Sequence, residues 1–199
     1  MAINHKDKTI ETYNTSIQAL VKKFANFGPR IEDIKRGFSY ISKENPNVLE
    51  IGCGYGREAK EILKLTSHYL GMDISEEMIR KAKNDVPDGN FVVSDIENYV
   101  FPDGLDIIFS FASLLHSDIE NLRLIAERAY EALAKNGIFY ISLKRGVYHR
   151  EIQEDEFGTR VYYYYAPEDI EALDPRFTTV WKDEHEHGGQ DWFTIILKR

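Results

Sequence analysis

The stretch NVLEIGCGYGREAKEIL, residues 47–63, joins a strand to a helix through three glycines. Residues 48–51 are mostly apolar, as in a short buried strand, and residues 58–63 have helical spacing. Between them stand Gly52, Gly54 and Gly56. Glycines at such a junction let the backbone approach a ligand closely, and the N–H groups of the helix then point at that ligand. The stretch therefore predicts a ligand-binding loop at the carboxyl end of a parallel strand.

Further strands are predicted at regular intervals after this junction. They are the mostly β-branched or aromatic segments 68–74, 91–96, 105–113 and 137–144. Helical segments follow the first, second and fourth strands, and the last of these helices begins at a predicted capping box of Ser117 with Glu120. This alternation predicts parallel strands joined by right-handed crossovers.

Both ends of the chain add elements to this core. Residues 7–26 have helical periodicity, Gly28 and Pro29 interrupt it, and a second helix is predicted to end near Ser42. Toward the other end we predict a strand over 159–165, a helix from Pro167, and two strands that flank the glycines at 188 and 189. The predicted fold class is α/β: a doubly wound, mostly parallel seven-stranded sheet with an antiparallel C-terminal strand pair and N-terminal helices.

Composition and charge indicate one soluble domain. The 199 residues carry a net charge of −8, which disfavours nucleic acids and anionic membranes as partners. Cys53 is the only cysteine and residues 1–14 contain no signal-like apolar segment, so we expect a cytoplasmic location. We expect a helical cap at 1–45, a cofactor-binding core at 46–144, a lid or substrate insertion at 145–166, and a C-terminal helix and strands at 167–199.

The acidic residues after the next two strands indicate what the glycine loop binds. The loop departs from the dinucleotide pattern G-x-G-x-x-G, because Arg57 stands where that pattern has its third glycine. Asp73 ends the second strand, where a carboxylate can bridge two ribose hydroxyls. Asp95 ends the third strand, where it can accept from an adenine amino group while the N–H of Ile96 donates to the ring. The set predicts a nucleoside ligand without a pyrophosphate.

These segments resemble the class I S-adenosylmethionine-dependent methyltransferases. The family motif E-x-G-x-G-x-G is met in LEIGCGYG, D-x-S-x-x-M is met in GMDISEEMIRKAK, and the aspartate after the third strand is met in FVVSDIEN. The resemblance covers residues 47–144 and implies S-adenosylmethionine as the cofactor. The residues that it assigns to cofactor binding are Tyr13, Glu50, Gly52, Gly54, Asp73, Ile74, Asp95, Ile96 and Phe111.

The resemblance also implies a role for each part of the cofactor site. Glu50 would bind the methionine amino group, partly through water, and Gly52 and Gly54 would lie along the methionine moiety. Asp73 would bind the ribose hydroxyls, and Asp95 with Ile96 would hold the adenine. The backbone of Phe111 would lie near the methionine ammonium, and Tyr13 would cover the cofactor from the N-terminal helix.

Methyl transfer from a sulfonium is an in-line displacement, in which the protein mainly orients the nucleophile and excludes water. His116, which follows the fourth strand, is the candidate general base and a candidate substrate contact, since its ordinary pKa lies near neutrality. The alternative is that His116 packs at the rim of the cleft or helps to cap the next helix. The Asn-Pro-Pro-Tyr motif of enzymes that methylate amino groups of bases or amides is absent, and SFAS stands in its place.

The segment after the fifth strand, residues 144–165, is long for a simple connection and rich in aromatic residues. Arg145, Tyr148 and Tyr163 are predicted to bind substrate, and His149, Arg160 and the other tyrosines of 162–165 are further candidates. Alternation along a strand lets at most half of these tyrosines face a pocket. The segment is either a lid or a surface hairpin. His185 and His187 are interpreted as a polar hairpin end, and no metal is expected.

Four functions fit this pattern. The first is S-adenosylmethionine-dependent methylation of a small molecule, which the acidic charge and the lack of a basic appendage favour. The second is methylation of a protein or tRNA with a partner subunit. The third is a protein that binds S-adenosylmethionine or S-adenosylhomocysteine without turnover. The fourth, an NAD-dependent oxidoreductase, is disfavoured by the spacing of the glycines.

Overall fold

The computed structural model describes residues 5–199, so the first four residues of the N-terminal stretch considered above lie outside it. Its strands are β1 Val48–Ile51, β2 Tyr69–Asp73, β3 Asn90–Val93, β4 Leu105–Phe111, β5 Leu133–Lys144, β6 His149–Asp155, β7 Gly158–Tyr164, β8 Thr178–His187 and β9 Gln190–Lys198. Seven of them form one sheet in the order β3-β2-β1-β4-β5-β9-β8, and β6 pairs with β7 in a separate hairpin.

Strand direction within the sheet confirms the predicted fold class. β1 to β5 are parallel to one another, whereas β9 runs antiparallel to both β5 and β8. The turn between β8 and β9 is formed by Gly188 and Gly189, which have φ angles of +62° and +75°. Positive φ at two successive positions is the geometry that a two-residue hairpin turn requires and that glycine adopts without strain.

The helices are α1 His5–Thr15, α2 Ile17–Ala25, α3 Ile31–Ser39, α4 Ala59–Ile62, α5 Glu76–Asp85, α6 Ile119–Ala132 and α7 Pro167–Glu171, with a 3-10 turn at Leu114–His116. The prediction of one helix over 7–26 is wrong, because the helix breaks at Ser16. There the Ser16 hydroxyl donates to the carbonyl oxygen of Phe157 at 2.6 Å. The next helix, α3, ends at Ser39 rather than near Ser42.

The start of α6 also differs from the prediction. Asp118 is the N-cap, and its carboxylate accepts from the backbone N–H of Asn121 at 2.9 Å. The predicted box of Ser117 and Glu120 is not formed, since Glu120 pairs with Arg123 at 2.7 Å instead. An aspartate in the N-cap position satisfies the helix N–H groups and adds its charge to the positive end of the dipole, so it replaces the serine.

Helices cover both faces of the sheet and bury it, as the apolar strands predict. All seven residues of β4 are buried. On one face α6 contributes Leu122 and Ile125 to the core, and on the other face α3 contributes Ile34 and α5 contributes Ile79. No helix among residues 5–199 is long and apolar enough to cross a membrane.

Helix α1 lies along the edge of the β6–β7 hairpin and bonds to its backbone. The N–H of Val161 donates to Oγ1 of Thr9 at 3.0 Å, and Oγ1 of Thr12 donates to the carbonyl oxygen of Thr159 at 2.8 Å. Both threonines are buried, whereas the apolar residues of this helix are less so. The reason is that an edge strand presents unpaired N–H and C=O groups, which threonine hydroxyls can satisfy. This packing brings Tyr13 under the hairpin.

Candidate functional site

A cavity of about 970 Å³ lies at the carboxyl ends of the central strands. Its floor is the glycine loop after β1 together with the ends of β2, β4 and β5, and its cover is α1 with the β6–β7 hairpin. This is the edge at which open α/β sheets bind ligands. The cavity is therefore the candidate site.

The glycine loop presents bare backbone to the cavity. Gly52 has φ +70°, and a Cβ there would lie 1.9 Å from Oγ of Ser113, so any larger residue would collide with the loop after β4. Gly54 has φ +53°, and a Cβ there would meet nothing within 4 Å. Gly54 also lines the cavity. The two glycines thus serve different needs: close packing at Gly52 and open access at Gly54.

Asp73 ties the end of β2 to this loop. Its carboxylate accepts from the N–H of Gly54 at 2.9 Å and from the N–H of Ser75 at 2.9 Å. Burial raises the pKa of this carboxyl, while the backbone donors oppose that rise. The two donors fix the orientation of the carboxylate at the cavity wall, where its remaining lone pairs can accept from ligand hydroxyls.

Glu50 lies inside the same wall and is 1% exposed. The hydroxyl of Tyr69 donates to its Oε2 at 2.6 Å. Burial, followed by the nearby charge of Glu58, raises the pKa of Glu50 to about 8. A buried carboxyl with a raised pKa is a group that a cationic ligand atom would help to ionise.

Arg57 connects the glycine loop to the N-terminal helices. Its Nε donates to Glu58 at 2.8 Å, and one terminal nitrogen donates to the carbonyl oxygen of Phe24 in α2 at 3.1 Å. Arg57 occupies the position at which the dinucleotide pattern has its third glycine, and here its side chain anchors α2 over the loop.

The carboxylate of Asp95 already has protein partners. Its Oδ2 accepts from Nζ of Lys6 at 2.7 Å, and its Oδ1 accepts from the N–H of Glu97 at 3.0 Å. Lys6 bridges Glu97 as well, at 2.6 Å. Asp95 and Ile96 line the cavity, so α1 lies across the segment expected to read an adenine.

Tyr13 and His116 form a hydrogen-bonded pair at the cavity wall. The Tyr13 hydroxyl lies 3.0 Å from Nε2 of His116, and Nδ1 of His116 bonds to the carbonyl oxygen of Val161. A carbonyl oxygen only accepts, so Nδ1 carries the proton and Nε2 accepts from Tyr13. Burial lowers the pKa of His116 to about 4 and raises the pKa of Tyr13 well above its usual range. Both rings are therefore neutral near pH 7.

The nine residues predicted to bind the cofactor all line this one cavity: Tyr13, Glu50, Gly52, Gly54, Asp73, Ile74, Asp95, Ile96 and Phe111. They come from α1, from β1 and the loop after it, from the ends of β2 and β4, and from the loop after β3. Their individual roles stay predictions, because proximity to the cavity does not by itself assign a contact.

The four predicted substrate contacts, which stay predictions, are divided between the cavity and the protein surface. His116 and Tyr163 line the cavity, but Arg145 and Tyr148 do not. Arg145 pairs on the surface with Glu184 at 2.8 Å and with Asp191 at 3.4 Å, and Tyr148 stacks on Tyr163 at 6.3 Å between ring centroids. Successive side chains in a strand point to opposite faces, and here it is Lys144 that faces the cavity, so its neighbour Arg145 faces outward.

Four further residues line the cavity, of which two were missed and two were only among the wider candidates. Lys144 and Trp192 carried no signal that distinguished them from other strand residues, whereas Arg160 and Tyr162 were among the wider candidates of the hairpin. His185 and His187 also line the cavity, but residues 5–199 contain no group of three or more His, Cys, Asp or Glu side chains placed to hold a metal ion.

Comparisons with known proteins agree with this geometry. A family described as "Methyltransferase domain" matches residues 48–137. The chain is 30% identical over 180 residues to malonyl-[acyl-carrier protein] O-methyltransferase 1 of Ilyobacter polytropus. The matched region is 88% of this chain and 61% of that relative, so the chain spans less than two thirds of the relative's length.

Solved structures share the fold. A 1,6-didemethyltoxoflavin-N1-methyltransferase from Burkholderia thailandensis, solved with S-adenosylhomocysteine, matches with a TM-score of 0.75 at 14% identity, over 100% of this chain and 91% of that one. An S-adenosylmethionine-dependent methyltransferase from Clostridium acetobutylicum matches with a TM-score of 0.73 at 15% identity, over 92% and 97%. At these identities the likeness concerns the fold.

Proposed function

This chain belongs to the class I S-adenosylmethionine-dependent methyltransferases, and we propose from that premise that it transfers the methyl group of S-adenosylmethionine to a small molecule bound in the cavity. The observation that carries the proposal is the Asp73 carboxylate, which is held by the N–H groups of Gly54 and Ser75 beside a glycine loop with open access. The chain spans less than two thirds of the length of its Ilyobacter relative, so this activity is a proposal.

The lining residues fit this cofactor. Gly54 leaves room for a ligand against the backbone, and the carboxylate of Asp73 can accept from vicinal hydroxyls. The volume of about 970 Å³ exceeds what a single cofactor fills, which leaves space for a second molecule. When bound, S-adenosylmethionine would supply a methyl carbon that is already activated by its sulfonium.

The chain's own residues then have to bind the cofactor, orient the substrate and exclude water. We propose that Asp73 binds the ribose, that Asp95 and Ile96 hold the adenine, and that Glu50 binds the ammonium. Tyr13 and the β6–β7 hairpin would close the cavity, which keeps water from the reacting atoms.

For His116 we propose a positioning role. Its Nδ1–H is engaged by Val161 and its Nε2 by Tyr13, so no nitrogen of the ring is directed at a substrate proton. The ring instead fixes the hydroxyl of Tyr13 and thereby the ring of Tyr13 over the cavity. A role as general base is the alternative, and it would require Tyr13 to pass on the proton.

The small-molecule substrate rests on the names of similar proteins. The Burkholderia neighbour is named for N1-methylation of 1,6-didemethyltoxoflavin, and the Ilyobacter relative for O-methylation of malonyl-[acyl-carrier protein]. The first name supports a small-molecule substrate, and the second concerns an acyl group that is attached to a carrier protein.

Calorimetric titration of the protein with S-adenosylhomocysteine, S-adenosylmethionine and NAD tests the proposal. We expect both adenosyl ligands to bind and NAD not to bind. Asp73→Ala should weaken binding by about a hundredfold, because two charge-assisted hydrogen bonds are lost, whereas Asp88→Ala in the exposed loop before β3 should bind normally. Circular dichroism checks that both variants fold. Binding of NAD in place of the adenosyl ligands would favour an oxidoreductase.

Turnover is measured separately, as S-adenosylhomocysteine released in the presence of candidate substrates. Cofactor binding without turnover on any small molecule would favour the non-catalytic reading or a macromolecular substrate.

A further inference from the structure

The cavity wall formed by the end of β5, by the hairpin and by α2 carries an excess of positive charge. Lys23, Lys144, Arg150 and Arg160 line it, and among the described residues of these elements Asp155 is the one carboxylate in the lining, while Glu151 of β6 acts on Lys144 without lining the cavity. The carboxylates elsewhere in the lining lie by the glycine loop and the end of β3. In a chain with a net charge of −8, this is a local reversal of sign.

Lys144 is the most enclosed lysine of this wall. It is 9% exposed, and its Nζ lies 3.8 Å from the ring centroid of Tyr162 and 3.4 Å from the hydroxyl of Tyr164. Within residues 5–199 its ammonium forms no ion pair with a carboxylate. Lysine is seldom buried without such a partner, because desolvation of the charge is costly.

Arg160 lies on the same aromatic ring. It is 4% exposed, its guanidinium carbon is 5.7 Å from the ring centroid of Tyr162, and one terminal nitrogen pairs with Asp155. Its Nε is buried and has no hydrogen-bond acceptor in the described part of the chain. The guanidinium therefore has donor capacity that Asp155 does not use.

Trp192 supplies a third donor. It stands opposite Lys144 in the β5–β9 pair, so the two side chains lie on the same face of the sheet. Its indole Nε1–H is buried without an acceptor among residues 5–199, and the residue lines the cavity. Indole, ammonium and guanidinium groups donate hydrogen bonds and accept none, so an oxyanion satisfies all three.

We propose that the substrate is a small acid, and that its carboxylate or phosphate group binds to Lys144, Arg160 and Trp192. The proposal rests on the methyl-transfer function given above and names its substrate class. Burial and the charges of Arg160 and Lys23 lower the pKa of Lys144, and Glu151 opposes them. A bound anion would relieve both the desolvation and the mutual repulsion. The acidic group would face the hairpin, away from the carboxylates of the glycine loop.

The test is a fluorescence titration in which Trp192 is the reporter. The chain has two tryptophans, so Trp181→Phe leaves Trp192 as the single one. Succinate and inorganic phosphate are titrated at constant ionic strength, with succinamide as the neutral isostere of succinate. Each titration is run with and without saturating S-adenosylhomocysteine.

The decisive variant is Lys144→Met, which keeps the apolar stem and removes the charge. Lys135→Met is its control, because Lys135 is exposed at the opposite end of the same strand. Arg160 is left intact in these variants, since its removal would leave the Asp155 carboxylate without its cationic partner. Arg150→Gln gives a second reduction of charge at an exposed position, where folding is not at risk.

We expect saturable binding of succinate or phosphate, no comparable binding of succinamide, and a dissociation constant at least tenfold weaker in Lys144→Met, with Lys135→Met unchanged. The tighter of the two anions identifies the group as a carboxylate or a phosphate. Equal response to succinamide, or an unchanged constant in Lys144→Met, would overturn the proposal. If S-adenosylhomocysteine does not bind in calorimetry, the proposed methyl-transfer function is contradicted. The titrations without S-adenosylhomocysteine then still measure whether the anion site binds succinate or phosphate.

Discussion

The hydroxyl of Tyr13 in α1 lies 3.0 Å from Nε2 of His116 in the loop after β4, so a hydrogen bond closes the cavity between the N-terminal helix and the sheet. The other imidazole nitrogen is held by Val161 of the hairpin. One neutral histidine thus joins the helix, the sheet and the hairpin that surround the cavity.

From this arrangement we expect His116 to stay neutral, with the proton on Nδ1, from pH 5.5 to pH 8. Burial lowers its pKa to about 4, so the folded state binds fewer protons than the unfolded state as the pH falls from about 6.5 toward 4, and stability declines over that window. Nitrogen-15 NMR of the imidazole measures both the tautomer and the pKa. A pKa of His116 near 6.5 would contradict a buried ring whose two nitrogens are both hydrogen-bonded.

Tyr13→Phe and His116→Gln should act on the same interaction. Each should weaken S-adenosylhomocysteine binding, and the double variant should lose less than the sum, with a coupling of about 0.5–1.5 kcal/mol. Calorimetry on the four proteins of the cycle gives that number. If His116 is instead a general base, turnover falls in His116→Gln far more than cofactor binding does, and the pH–rate profile changes shape.

Gly52→Ala and Gly54→Ala should separate folding from binding. At Gly52 a methyl group collides with Ser113 at a positive φ, so we expect a loss of about 3 kcal/mol or more in unfolding free energy. At Gly54 only the positive φ is costly, about 1 kcal/mol, but the methyl group projects toward the cavity and should abolish S-adenosylhomocysteine binding. Urea unfolding and calorimetry measure the two effects. Normal cofactor binding by Gly54→Ala would place the cofactor elsewhere.

The pair of Arg57 and Glu58 should hold α2 on the glycine loop. Glu58 is 4% exposed, so Arg57→Met leaves a buried carboxylate unpaired, at a cost of about 3–5 kcal/mol. Adding Glu58→Gln removes the stranded charge and should recover part of that loss. Lys60→Met, exposed on α4, is the control and should be near neutral. Urea unfolding of the wild type and of these three variants measures the effect, and an equal loss of stability in Arg57→Met and in the double variant would argue against the pair.

The fold and the cofactor half of the site could be predicted because their signals are local in sequence. The glycine loop and Asp73 stand at strand ends, where chain order alone decides which residues share an edge of the sheet. The hairpin residues lacked such a signal. Whether Lys144 or Arg145 faces the cavity depends on where β5 leaves the sheet, and a shift of one residue exchanges the two.

The N-terminal helix shows a second limit. Its periodicity favoured burial of the apolar residues, yet Thr9 and Thr12 are the buried ones, because the edge of β7 needs hydrogen-bonding side chains. That edge is about 150 positions away in the chain, so the local periodicity of the helix could not predict it. Ser16, which directly follows α1, bonds to Phe157 in the turn of the same hairpin.

Glu50 should make the stability of the unliganded protein depend on pH. Burial and the charge of Glu58 raise its pKa from about 4.5 to about 8, and Arg57 and the hydroxyl of Tyr69 oppose that rise. A raised carboxyl pKa means that the folded state holds the proton more tightly, so the stabilisation is complete below about pH 4.5 and is lost as the pH rises through about 8. Glu50→Gln should remove this slope and make the unliganded protein more stable than wild type at pH 8.5, by an amount on the order of 1 kcal/mol or more. Urea unfolding at pH 5, 7 and 8.5 measures it.

The same residue should release a proton when the ammonium of S-adenosylhomocysteine binds. Calorimetry detects this release as a dependence of the binding enthalpy on the buffer, and Glu50→Gln should abolish that dependence. Identical slopes in the two proteins would mean that Glu50 is ionised in the folded state at neutral pH.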